Sequence, residues 1–188
     1  MIILFIFILL RMITENQISL LNTYRDRSFI NSILAEQSYN YYNWIKNIIN
    51  IPLIISNTAM VAINGSIENQ ELLKILNIIL NSFTGLILSF TSQFKIYEHI
   101  NQYKIIQSKF NKLSHLIDNK LVNNTDDLTT EFINNIIQDY DDIVESIEFN
   151  YPTSIRNKIK KQYEGKMTLP SVLAVDIVEC KSECCTKV

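Results

Sequence analysis

Two uncharged stretches joined by one short loop constrain this chain more than any other feature. The first covers residues 47–67 and the second residues 75–94, and neither contains Asp, Glu, Lys or Arg. At ~1.5 Å rise per residue, each stretch would cross the ~30 Å hydrocarbon core of a bilayer as a helix. Because only residues 68–74 separate them, the sequence predicts a transmembrane hairpin of two spans.

The segment before the first stretch has the spacing of one long helix. Apolar residues recur every three or four positions over residues 14–46, and Thr14 and Gln17 stand where a capping box would start a helix. Residues 1–13 form an apolar segment that is too short to span a bilayer. An interfacial anchor, a helix start packed on a partner and a signal sequence are the three interpretations left open.

Downstream of the hairpin, the sequence predicts a helical bundle. Apolar residues repeat at helical spacing over residues 93–121 and again over residues 128–147. The polar break between these segments offers Asp126 or Asp127 as a helix cap. Pro152 is expected to stop the second helix, since proline disfavours a helical conformation in the residue before it. Residues 152–154 are expected to open a short last helix that carries Ile155 and Ile159.

Composition and motif content favour a non-catalytic protein. The net charge is −2 and no cluster of Lys and Arg marks a phosphate-binding surface, so we expect no nucleic-acid partner. No phosphate loop, nucleophile–base pair or metal-ligand set is visible, so we predict no enzyme, catalytic residue, cofactor or metal. Cys180, Cys184 and Cys185 lie in the last nine residues. This favours a reduced tail, with palmitoylation and a soft-metal site as alternatives.

The flanks of the hairpin predict its orientation. Aromatic residues cluster where the two stretches leave the bilayer, as in an interfacial belt. The predicted belt consists of Tyr41, Tyr42, Trp44, Phe94 and Tyr97. Basic residues occur on both outer flanks, whereas Lys74 is the single basic residue of the loop. Since Lys and Arg favour the cytosolic side, both termini are expected in the cytosol.

Polar and small residues recur at helical spacing within both stretches. The first polar row is Asn50, Asn57 and Asn64, and the second polar row is Asn77, Asn81, Gly85, Ser89 and Ser92. Each row lies on one face of its helix, and polar side chains in hydrocarbon turn toward protein or water. Either the rows pack helix against helix, or they line a water-filled pore. A pore requires several hairpins and therefore a homo-oligomer.

Taken in order, several segments resemble the SLATT family, the SMODS- and SLOG-associated two-transmembrane effector domains. The resemblance covers roughly residues 20–163. It is carried by Tyr39–Trp44, Ile51–Ser56, Asn64–Ser66, Thr84–Leu86, Phe94–His99, Ser108–Leu113 and Tyr140–Ser146, the last closed by Pro152. The resemblance implies a two-span protein of the kind proposed to form pores in nucleotide-triggered bacterial defence, with no established catalytic residues. Stand-alone members occur in large DNA viruses, and the abundance of Asn, Ile, Lys and Tyr suits an AT-rich viral genome.

Together these features predict an all-α, multi-pass membrane protein with three parts. Residues 1–13 form an apolar N-terminal segment, residues 14–163 a SLATT-like unit of long helix, hairpin and cytosolic bundle, and residues 164–188 a loosely ordered tail. We expect an oligomeric pore-forming or membrane-perturbing effector, in a host or virion membrane if it is viral. The alternative is a non-catalytic membrane scaffold that binds an unknown protein through its cytosolic helices.

Overall fold

The fold is entirely helical over the residues that the structure describes. This computed structural model describes the backbone of residues 2–66, 70–123 and 128–174, and the side chains of residues 15–64, 70–123 and 128–173. The six helices are α1 (Ile2–Ser66), α2 (Gln70–Gln93), α3 (Ile96–Asn123), α4 (Thr130–Glu145), α5 (Thr153–Tyr163) and α6 (Ser171–Ala174). No strand occurs in this part of the chain, which confirms the all-α prediction.

Helix α1 is the axis of the molecule. Its 65 residues extend roughly 100 Å at ~1.5 Å per residue, from the N-terminal segment through the first uncharged stretch. The backbone continues through Thr14 without a break, so the predicted capping box is wrong and residues 2–13 share a helix with the unit that follows. The side chains of residues 2–14 lie outside the described part, and the three interpretations of that segment stay predictions.

The C-terminal part of α1 and the antiparallel helix α2 form a hairpin. Apart from Asn50 and Leu76, the residues of the hairpin that are not exposed alternate spacings of four and three, which is the pattern of knobs-into-holes packing between helices. We call this contact the hairpin seam. It consists of Ile49, Leu53, Ser56, Met60 and Ile63 on α1 with Leu73, Asn77, Leu80, Thr84, Ile87 and Thr91 on α2. Leu53 and Thr91 are the two that are buried.

Outside its seam the hairpin is exposed and largely apolar. Helices α1 and α2 are long and apolar enough to cross a membrane, by length and composition. Only 6% of the most apolar window of α1 and 0% of that of the α2–α3 segment is buried. A core helix of a soluble protein would instead bury most of such a window, because exposed apolar surface is costly in water.

Helices α3, α4 and α5 pack against the N-terminal part of α1 and form the bundle. Helix α3 runs antiparallel to α1, since Tyr42 stacks on His99 near the hairpin and Arg25 approaches Asp118 at the far end. Helix α4 returns toward the hairpin and α5 leads away again. The buried core includes Leu21, Ile30, Leu34, Tyr103, Ile106, Phe110, Ile117, Ile136, Tyr140 and Ile159.

The ends of the later helices differ in part from those predicted. The hydroxyl of Thr129 caps α4 by accepting a hydrogen bond of 3.2 Å from the backbone N–H of Phe132. The predicted caps Asp126 and Asp127 lie outside the described residues. Helix α4 ends at Glu145, earlier than the predicted stop at Pro152, whereas α5 begins directly after Pro152, as predicted. Proline suits that position because its missing N–H would have no helical partner there.

The first part of the C-terminal tail is folded. The backbone turns at Gly165, whose φ of 75° suits glycine, and short helix α6 follows. Pro170 and Leu173 are buried, and the backbone N–H of Thr168 donates to the carboxylate of Asp26 over 3.4 Å. Residues 164–173 therefore contact the bundle, and the loosely ordered tail over residues 164–188 stays a prediction. Cys180, Cys184 and Cys185 lie outside the described residues.

Candidate functional site on the apolar hairpin

The two polar rows lie beside the hairpin seam rather than in it. At about 100° per residue, both rows are turned roughly 90° from the centre of the seam on their own helices. Asn77 alone belongs to both a row and the seam. Packing within one hairpin therefore accounts for one residue of the second row, while Asn81, Gly85, Ser89 and Ser92 remain exposed.

Hydrogen bonds fix the first row at both ends of the hairpin. At the loop end, the side-chain amide of Asn77 donates to that of Asn64 over 3.5 Å. At the bundle end, the side-chain N–H of Asn50 donates to the hydroxyl of Tyr97 over 3.1 Å. Because α1 and α2 are antiparallel and the Asn64–Asn77 bond joins one member of each row, both rows flank the seam on the same side. We call this the polar side of the hairpin.

The middle of the polar side is left open. The side-chain amides of Asn57 and Asn81 are exposed and have no hydrogen-bond partner among the described residues. Ser89 donates to the carbonyl of Gly85 over 2.9 Å, and a side chain at Gly85 would meet nothing within 4 Å. The small residues therefore leave space beside α2 that no part of the described chain fills.

An open groove continues the polar side toward the loop. Its volume is about 760 Å³, and its polar lining comes from Asn64, Gln70, Lys74, Asn77 and Asn81. An unsatisfied amide costs roughly 2–7 kcal/mol when it is moved from water into an apolar medium. The polar side is thus the part of the hairpin surface that is least compatible with lipid.

Most of the predicted belt residues are exposed where the hairpin meets the bundle. Tyr41, Trp44, Phe94 and Tyr97 have 42%, 62%, 54% and 54% of their surface exposed. Tyr42 differs, because its ring packs into the bundle and lies parallel to the imidazole of His99 at 4.4 Å between centroids. Four exposed aromatic side chains at one level of the molecule have the form of an interfacial belt.

His99 lies in an aromatic sandwich just inside this level. Its ring is 4.4 Å from that of Tyr42 and 3.9 Å from that of Phe149. The Nδ1 atom is buried and has no hydrogen-bond partner among the described residues. Burial is the main effect on His99 and lowers its pKa below 6.5. The smaller effect of Glu98 raises the pKa, and that of Lys95 lowers it further. The sandwich therefore favours a neutral imidazole.

Acidification is expected to destabilise the bundle through His99. Because its folded pKa is lowered, the stabilisation is complete above the unfolded value of 6.5 and is lost as pH falls toward the folded pKa. The thermal midpoint in detergent should fall between about pH 7.5 and about pH 5.5, and less in a His99→Phe variant. The exposed His115 is the matched control, so His115→Phe should keep the full decrease. Equal pH dependence of the His99→Phe variant and the parent would contradict the assignment.

The residues that hold the site together were not identified from the sequence. The seam residues of α2 repeat at spacings of four and three, and this signal was present in the sequence beside the more conspicuous polar row. Phe149 and Asn31 had no such signal. Phe149 lies between two helices, and Asn31 is buried with its side-chain N–H donating to the hydroxyl of Tyr140 over 3.1 Å. Both depend on contacts between distant segments.

Comparison of the sequence with models of protein families, with curated proteins and with solved structures finds no match. Within the described residues, no group of three or more His, Cys, Asp or Glu side chains could hold a metal ion. The hairpin and the bundle are therefore the features from which a function can be proposed.

Proposed function

We propose that this chain is a two-span integral membrane protein whose hairpins assemble around a polar lumen and permeabilise the membrane. The observation that supports this most directly is the polar side of the hairpin, which carries two unpartnered amides on an otherwise apolar surface. Lipid cannot satisfy these groups, whereas water or a neighbouring hairpin can. A single hairpin cannot enclose water, so the proposal requires several copies.

The proposed orientation has both termini in the cytosol and the loop before Gln70 on the opposite side. Two features support it. The exposed aromatic residues lie at one level, where an interface would be expected, and the bundle beyond that level carries most of the basic residues. Since α1 passes without interruption from the bundle into the first stretch, the bundle would stand directly on the membrane.

Cysteine labelling tests this orientation. In sealed vesicles with the cytosolic side inward, a Gln70→Cys variant should react with a membrane-impermeant maleimide and a Lys161→Cys variant should not. Both positions are exposed on the folded chain, so the difference reports the membrane and not burial. The native Cys180, Cys184 and Cys185 are replaced by Ser in both variants and in a cysteine-free control. Labelling of the two variants at equal rates would contradict the two-span topology.

Dye release from liposomes tests the pore itself. Purified protein reconstituted at increasing protein-to-lipid ratios should release a small entrapped dye, with a steeper than linear dependence on that ratio because several copies must meet. A large entrapped dextran should be retained by the same vesicles. An absence of release of the small dye at every ratio would remove the pore from the proposal.

A membrane scaffold is the second candidate, and the bundle supports it. In that case the spans only anchor the chain, and the grooves between the helices of the bundle bind another protein. The two functions separate in the release assay, because a scaffold inserts into liposomes without releasing dye.

The resemblance to SLATT effector domains agrees with the pore proposal and remains part of it. Membership of that family would make the chain an effector of membrane permeabilisation, and a viral origin would place it in a host or virion membrane. The identity of the adjacent genes would test this, since a nucleotide sensor beside the gene favours defence and capsid or envelope genes favour a virus.

A further inference from the structure

An open groove with oppositely charged rims runs between α3 and α4. Its volume is about 330 Å³. The floor is apolar, formed by the buried Leu113 and Ile143 and the half-exposed Leu116. An apolar floor inside a charged rim is the usual anatomy of a protein–protein interface.

The charges of the two rims are separated by helix and by sign. The rim on α3 carries Lys109 and Lys112, and the rim on α4 carries Asp139 and Asp142. All four side chains are exposed, and none forms an ion pair within the described residues. The rims also lie at the same height along the bundle, since the rings of Phe110 on α3 and Tyr140 on α4 are 5.7 Å apart.

We propose that this groove is the surface through which two copies of the chain pair. A twofold rotation about an axis parallel to the helices lays the lysine rim of one copy on the aspartate rim of the other. Rotation about that axis preserves height, so Lys109 and Lys112 of each copy meet Asp139 and Asp142 of the second copy. The contact is isologous and forms the same set of ion pairs twice around a shared apolar floor.

Insertion of both hairpins into one bilayer also requires a twofold axis parallel to the helices. This step rests on the proposed function, because it assumes that the hairpins insert. A twofold axis across the helices would bring lysine onto lysine and would point the two hairpins in opposite directions. An axis along the helices is parallel to the membrane normal and leaves both hairpins in one bilayer. Charge and membrane orientation therefore favour one arrangement.

Photo-crosslinking of the full chain in liposomes tests the contact. Leu116→benzoylphenylalanine places the probe in the groove and should give a crosslinked dimer on irradiation. Val122→benzoylphenylalanine is the matched control, because Val122 lies on the same helix, is 81% exposed and is outside the groove. It should give little or no dimer. An absence of dimer from the Leu116 probe would overturn the proposal.

Charge exchange identifies the partner as a second copy in this arrangement. Two double variants are made in the chain that carries the Leu116 probe. With Lys109→Glu/Lys112→Glu, carboxylates of one copy face carboxylates of the other. With Asp139→Lys/Asp142→Lys, ammonium groups face ammonium groups. Each variant alone should lower the crosslinked fraction by about tenfold, because like charges then face each other across the contact. When the two variants carry different tags and are reconstituted together, every rim faces its complement again. Mixed dimers should then return to about the parental level.

The outcomes separate this inference from the pore. Crosslinking that is unchanged in either single variant, or that is not restored in the mixture, would overturn the pairing. Because mixing can rescue only folded chains, a rescued signal also excludes misfolding as the cause of the loss. Dimers without dye release would remove the pore and leave the groove contact standing, whereas release without groove dimers would do the reverse.

Discussion

Replacing Asn57 and Asn81 together by leucine is expected to lower dye release from liposomes by at least about tenfold, because apolar constrictions in a pore exclude water. These two amides lie in the middle of the polar side, are exposed, and have no partner among the described residues. The side chain of leucine is close to that of asparagine in size but cannot form hydrogen bonds with water. Dye release per inserted chain is the measurement, with insertion quantified by flotation of the liposomes.

Two further variants make this result specific. Phe83→Leu alters a residue of α2 that is 53% exposed and turned away from the polar side, and it should leave release unchanged. Asn77→Leu removes the 3.5 Å hydrogen bond to Asn64 at the loop end. It should weaken the hairpin without excluding water from the middle of the proposed lumen. Full release by the Asn57→Leu/Asn81→Leu variant would contradict a lumen on this side. Loss of both assembly and release would favour the helix-packing interpretation of the rows.

Phe110→Ala is expected to lower the free energy of unfolding of the bundle by about 3–5 kcal/mol. Phe110 is fully buried at the centre of α3, in the core cluster that joins α1, α3 and α4. Truncation removes its apolar contacts and leaves a cavity that a bundle held by one long helix can only partly close. Urea unfolding in detergent micelles, followed by far-ultraviolet circular dichroism, measures the change.

The control for this prediction lies on the same helix. Ile105 is 56% exposed, so Ile105→Ala should change the free energy of unfolding by less than about 0.5 kcal/mol. Both substitutions have the same effect on helix propensity to within a few tenths of a kcal/mol. Equal destabilisation by the two would mean that α3 does not pack on α1 through the face that carries Phe110.

The sequence predicted the elements of this fold more accurately than their ends. Helical spacing identified the segments of α3 and α4, and Pro152 was correctly expected at a helix boundary. The stop of α4 at Glu145 and the cap at Thr129 were not predicted. Helix ends depend on which backbone groups find partners, and here the hydroxyl of Thr129 accepts from the backbone N–H of Phe132.

The candidate site was likewise predicted in part from the sequence. The polar rows follow from helical periodicity alone, because residues three or four apart share a face whatever surrounds the helix. The direction in which each face points does not follow from periodicity. Tyr42 illustrates this, since its neighbours Tyr41 and Trp44 are exposed while Tyr42 stacks on His99.

By itself, the sequence determined that the chain is helical, that two stretches are long and apolar enough for a bilayer, and that each carries a polar row. These properties depend on composition and on residues close together in the chain. Tertiary structure decided that the seam shares only Asn77 with the rows, that both rows lie on one side, and that lysine and aspartate rims flank one groove. Those results required distant helices to be set beside one another, because the burial of a side chain depends on what packs against it.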